Sequence, residues 1–119
     1  TGNAIRVPTP NVSLAVMSLI VDKVDLSKED VNEFLRKTAF NSKYREIVGF
    51  VNSTEIVSSD FYSSPFASVI DSQATIVSDN KITLYCWYDN EFGYSVQVVN
   101  LVKNIAGINL IRLPVKVWY

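Results

Sequence analysis

The sequence predicts an α+β fold, a mixed and largely antiparallel sheet with helices packed on one face. Three observations lead there: strand-like segments group between Ile47 and Trp87, one helical pattern interrupts early after Leu26, and another closes the chain near Ala106. A 119-residue chain with 48% hydrophobic, 12% aromatic and 19% charged residues has enough apolar side chain for one core and too little charge for a disordered tail.

The elements follow in order. Ala4-Ile5-Arg6-Val7 reads as a short extended segment, stopped where Pro8 and Pro10 fix φ and remove ladder donors. Ser13 to Val21 resumes as a strand, and its nearly continuous apolar run predicts burial on both faces. Ser27 is a suitable N-cap with Asp30 as capping-box partner and Leu26 stapling Val31; Val31, Phe34, Leu35, Thr38 and Ala39 then mark one helical face. Ile47–Val51, Ala67–Asp71, Thr75–Val77 and Lys81–Trp87 read as strands, the last two joined through Ser78-Asp79-Asn80 as an antiparallel hairpin. A final helix runs from Gly93 or Tyr94 to Ala106, with Val98, Leu101, Val102 and Ile105 as its buried stripe and Gly107 as its stop.

Composition also narrows function. Eleven Lys and Arg against twelve Asp and Glu give a net charge of -1, and the basic residues are scattered, which disfavours a nucleic-acid surface or a polybasic membrane patch. The longest apolar run, Leu14 to Val21, is too short to span a bilayer. The single cysteine, Cys86, has no disulfide partner, and with no histidine the chain offers neither a zinc site nor a histidine-assisted nucleophile. A cytoplasmic setting is expected. The chain opens on Thr1-Gly2-Asn3 without an initiator methionine, and Thr1 is read as a cut rather than a biological start.

Two segments carry a family resemblance. Thr1 to Ser13, which includes Arg6-Val7-Pro8-Thr9-Pro10-Asn11, resembles the arginine-bearing strand and turn of the glyceraldehyde-3-phosphate dehydrogenase family. Trp87-Tyr88-Asp89-Asn90-Glu91-Phe92-Gly93-Tyr94-Ser95 resembles its strand-to-helix signature, and Ser58–Phe61 and Ser68–Asp71 sit where the family has similar pieces. The resemblance implies that residues 1–106 are the C-terminal part of the catalytic domain and leaves residues 107–119 as an extension of unassigned role. In the family, the glycine-rich dinucleotide site, the nucleophilic cysteine and the base histidine lie upstream of this part.

The resemblance implies roles as well. Arg6 is expected to bind a phosphate of the sugar substrate or inorganic phosphate, for which a planar guanidinium gives bidentate donors; on residue type alone it would be a solvated strand residue. Asn90 is expected to hydrogen-bond the carboxamide of the cofactor's nicotinamide, amide to amide, besides serving the Asp89-Asn90 turn. Tyr94 is expected beside the nicotinamide ring, with ordinary packing as its bland alternative, and Glu91 is an acidic neighbour of the same pocket. Asp60 and Asp71 read as turn or strand-end residues. Cys86, between Tyr85 and Trp87 in a strand, reads as a core residue and not the nucleophile, so no catalytic or metal-binding residue is assigned within the chain.

The implied reaction of the intact enzyme is oxidation of an aldehyde phosphate with NAD and inorganic phosphate through a thioester. NADP stays open beside it, because that choice belongs to the nucleotide domain. The implied partners are the sugar phosphate, inorganic phosphate and further copies of the chain in a tetramer. The competing readings are erythrose-4-phosphate dehydrogenase and a non-catalytic binding or assembly module on the same scaffold.

Overall fold

The computed structural model describes residues 2–108. The elements are β1 (Ser13–Ile20), α1 (Lys28–Asn41), β2 (Val48–Val51), β3 (Ser68–Asp71), β4 (Ile76–Ser78), β5 (Lys81–Tyr88) and α2 (Gly93–Ile105), with a 3-10 turn at Ser58–Phe61 before β3. This is the α+β arrangement anticipated. The sheet runs β1-β5-β3-β2, and β4 pairs the first half of β5 on the side where β3 takes the second half. Only β2 and β3 are parallel; β1, β3 and β4 all meet β5 antiparallel.

Local chemistry explains the elements. The Ser27 hydroxyl accepts from the Asp30 N–H at 3.0 Å while an Asp30 carboxylate oxygen accepts from the Ser27 N–H at 3.2 Å, so two otherwise unsatisfied donors of the first turn of α1 are paired. Asp79, at φ 57°, makes the tight reversal between Ser78 and Lys81, which register directly across the β4–β5 hairpin. At the far end, Gly107 takes φ 68°; its N–H donates to the Asn104 carbonyl at 3.1 Å and the Ile108 N–H to the Lys103 carbonyl at 2.9 Å. That double bond pattern ends α2, and only glycine adopts its φ without strain.

The core forms on both faces of the sheet. Alternate residues of β5, Ile82, Leu84 and Cys86, join Ile70 of β3 and Val31 of α1 on one face, with Leu26 and Leu35 packed against them. Each fully buried Leu or Ile there contributes roughly 1.5–3 kcal/mol. On the opposite face, Val12, Phe61 and Val69 pack with Phe66 and Trp87, and the Phe61 and Trp87 rings stack at 5.4 Å.

Four expectations change. Residues 2–10 are exposed and residues 2–7 join no strand, because Pro8 and Pro10 interrupt the chain before Val12 turns it into β1. The double-sided burial of β1 is not found: β1 is the sheet edge, and Leu14, Val16 and Ile20, which share a face with Trp87, Tyr85 and Lys81, are exposed, Val16 by 55%. The stripe of α2 is likewise open, with Val98, Leu101 and Val102 exposed and Ile105 exposed by 78%. In both cases the apolar pattern is real, and no other part of the described chain covers it. Phe34 of α1 also faces outward, whereas Val31 and Ala39 are buried as expected. Residues 109–119, most of the anticipated extension, lie outside the described residues.

Candidate functional site

The end of β5 and the start of α2 are fixed by Asp89. This carboxylate is only 3% exposed. Its Oδ1 accepts from the Glu91 and Phe92 N–H groups, both at 3.0 Å, and its Oδ2 accepts from the Ser63 N–H at 2.9 Å and from Asn11 Nδ2 at 3.2 Å. The Phe92 N–H foremost, then those of Ser63 and Glu91 and the Asn11 amide, hold the carboxyl below its ordinary pKa against the opposing effect of burial. Asp89 is therefore a fully engaged structural anion. Its own carbonyl accepts from the Gly93 N–H at 3.1 Å and starts the helical turn.

Gly93 is buried under residues 64–66, where a Cβ would collide with the Phe66 carbonyl oxygen. That close approach seats the first turn of α2 on the loop before β3. Gln97 completes the seat by donating to the carbonyls of Pro65 at 2.9 Å and Glu46 at 3.2 Å.

These contacts open a shallow cleft of about 260 Å³ lined by Ala67, Tyr88, Asp89, Asn90, Tyr94 and Gln97. Two of the sequence-predicted site residues, Asn90 and Tyr94, come together here. Tyr94 is 71% exposed and lines the cleft. Asn90 Nδ2 donates to Ser13 Oγ at 2.9 Å, which leaves a second amide hydrogen and Oδ1 available. Glu91 is exposed and contributes its backbone N–H to Asp89. Arg6 is exposed in the segment before Pro8 and is not part of the cleft lining.

Ser13, Asn11 and Asp89 were not assigned to the site by sequence reasoning. Asp89 had a readable signal, an aspartate three residues before a helix-starting Phe92-Gly93 pair, which favours capping of the free N–H groups. Asn11 had none, because its partner is 78 residues away. Val12 is a β-branched residue at φ 68°, 5% exposed, with Asn11 Oδ1 accepting its N–H at 2.7 Å. Cys86 is buried at 3% exposure, and burial pushes its thiol up, the opposite of what a nucleophile needs. Among the described residues, no helix is long and apolar enough to cross a membrane.

Together these features define an α+β sheet domain whose candidate site lies at a strand-to-helix junction. Residues 1–90 match the family described as glyceraldehyde 3-phosphate dehydrogenase, C-terminal domain. The chain belongs to the glyceraldehyde-3-phosphate dehydrogenase family, as part of its C-terminal domain. It is 52% identical over 114 residues to a glyceraldehyde-3-phosphate dehydrogenase-like protein of Pseudomonas aeruginosa (strain UCBPP-PA14), a match covering 96% of this chain and 24% of that protein. It is 42% identical over 109 residues to glyceraldehyde-3-phosphate dehydrogenase 2 of Bacillus subtilis (strain 168), covering 88% and 30% of the two chains. A chloroplastic glyceraldehyde-3-phosphate dehydrogenase of Arabidopsis thaliana is 44% identical over 106 residues, covering 88% and 23%. The chain thus spans roughly a quarter to a third of the length of these relatives.

Proposed function

We propose that this chain is the nicotinamide-facing and phosphate-binding part of a phosphorylating glyceraldehyde-3-phosphate dehydrogenase, a cytoplasmic, homotetrameric oxidoreductase of glycolysis and gluconeogenesis. The supporting observation is the cleft after β5, where Asn90 offers an oriented amide and Tyr94 an aromatic ring within one shallow recess. The residues fit a nicotinamide: a planar ring needs an apolar wall, and its carboxamide needs a partner that both donates and accepts. When bound, the dinucleotide, NAD in this reading, accepts hydride from the substrate.

The chain's own residues bind and orient. Asn90 fixes which face of the ring meets the substrate, and proximity in the correct orientation accounts for much of the acceleration of such transfers. Asp89 does not serve as a base, because both of its oxygens are occupied by donors. Arg6, exposed before Pro8, donates its planar guanidinium's N–H groups to a pair of phosphate oxygens. The nucleophile and base come from the rest of the intact protein, since Cys86 is buried and the chain has no histidine. The exposed faces of β1 and α2 meet other domains or subunits.

The test is dehydrogenase activity of the intact protein with glyceraldehyde 3-phosphate, phosphate and NAD. Asn90→Ala is expected to weaken the dinucleotide by about two- to tenfold, the worth of one net hydrogen bond. Arg6→Ala is expected to weaken phosphate or substrate by roughly ten- to a hundredfold, as for a charge-assisted contact. A folded intact protein inert with both glyceraldehyde 3-phosphate and erythrose 4-phosphate would leave the scaffold as a binding or assembly module.

A further inference from the structure

We infer that Ser13 is a positioning residue for Asn90, its hydroxyl restraining the rotation of the amide that is offered to the ligand in the cleft. The inference rests on the cofactor reading of Asn90 given above. An asparagine amide turns about a broad torsion and, left alone on a surface, samples many orientations. Recognition of another amide requires one of them. Ser13 Oγ accepts from Asn90 Nδ2 at 2.9 Å, which restrains that torsion and leaves Oδ1 and the second amide hydrogen available.

Ser13 is itself held in place from both sides. It is the first residue of β1 and registers across from Tyr88, the last residue of β5. Behind it, Val12 is kept in the left-handed region at φ 68° with its side chain in the core beside Phe61 and Val69. A β-branched residue stays in such a conformation only where its surroundings over-determine it. Here they do: Asn11 caps the Val12 N–H at 2.7 Å and reaches across to Asp89 at 3.2 Å, the residue immediately before Asn90. The two strand ends are thereby clamped to each other two residues before Ser13 and one residue before Asn90. The contact itself is exposed, so it adds little to stability, and orientation is the effect left for it to exert.

Substitutions in the intact protein separate this role from a structural one. Ser13→Thr keeps a hydroxyl, Ser13→Val has the shape of that threonine with a methyl in place of the hydroxyl, and both residues suit a strand. With NAD titrated calorimetrically and the thermal midpoint measured alongside, Ser13→Val is expected to weaken NAD by about two- to tenfold while Ser13→Thr binds as wild type and neither midpoint moves. Adding Ser13→Val to Asn90→Ala is expected to cause no further loss, because the hydroxyl acts only through that amide. Wild-type NAD affinity in Ser13→Val, with Asn90→Ala weakened, would overturn the inference and leave the proposed function standing. Additive losses in the double variant would also overturn it. Wild-type affinity in Asn90→Ala would remove the cofactor reading and this inference with it.

Discussion

Asp89 gathers four hydrogen bonds on two oxygens, from Asn11, Ser63, Glu91 and Phe92, and so joins the segment before β1, the loop before β3 and the entry to α2. Every donor faces a lone pair of an ionised carboxylate. Asp89→Asn turns one of those oxygens into an N–H2 group pointed at N–H donors, and the loss is unavoidable whichever way the amide flips. The pH dependence follows from the same bonds. Because the folded carboxyl is held below its unfolded value, chiefly by the Phe92 N–H, its contribution is present above the unfolded value of about 4 and is lost as pH falls through the folded one. In urea titrations of the intact protein, Asp89→Asn should be less stable than wild type at neutral pH, and the difference should shrink below about pH 4. A gap of constant size down to acid pH would assign the loss to shape alone. At this scale the site was half legible. Asn90 and Tyr94 sit in one signature and could be read together, whereas Ser13 and Asn11 reach the same place only through pairing with β5.

Among the elements, α1 shows what local chemistry can specify. Its start was readable because Ser27, Asp30, Leu26 and Val31 lie within one turn, and the structure uses all four, two in the capping box and two in the core cluster. The Ser27 hydroxyl, foremost, also holds the Asp30 carboxyl below its usual range. Ser27→Ala should cost about 1 kcal/mol, read as a drop in unfolding free energy, and Ser27→Asp should recover most of it, since aspartate also caps. An unchanged stability in Ser27→Ala would mean that packing of Val31 and Ala39 alone fixes where α1 begins. Strand positions were legible to within a residue or two because turns such as Asp79-Asn80 punctuate them. The direction of burial in β1 and α2 was not, because periodicity reports that a face is apolar and says nothing of which chain covers it.

For the whole molecule, those open faces are the dominant property. One side of β1 carries Leu14, Val16 and Ile20, with Ile76 exposed in β4, while α2 carries Leu101, Val102 and Ile105. The chain covers only 23% to 30% of the three relatives described, and within its described residues nothing covers these faces. Expressed alone, residues 1–119 should self-associate in sedimentation velocity at micromolar concentration, and Val16→Asp with Leu101→Asp should move the population toward monomer. A clean monomer without those changes would show that the exposed apolar faces do not drive association.

The pairing of β1 with β5 also sets a schedule for biosynthesis. Asn11 and Asp89 are 78 residues apart, and the first strand finds no backbone partner until the fifth has been made. At ~5–20 residues per second, a ribosome needs roughly 4 to 16 s to bridge that gap. Throughout that interval Leu14 to Ile20 is an unpaired apolar strand outside the exit tunnel, a window in which a chaperone that grips extended hydrophobic segments has its substrate.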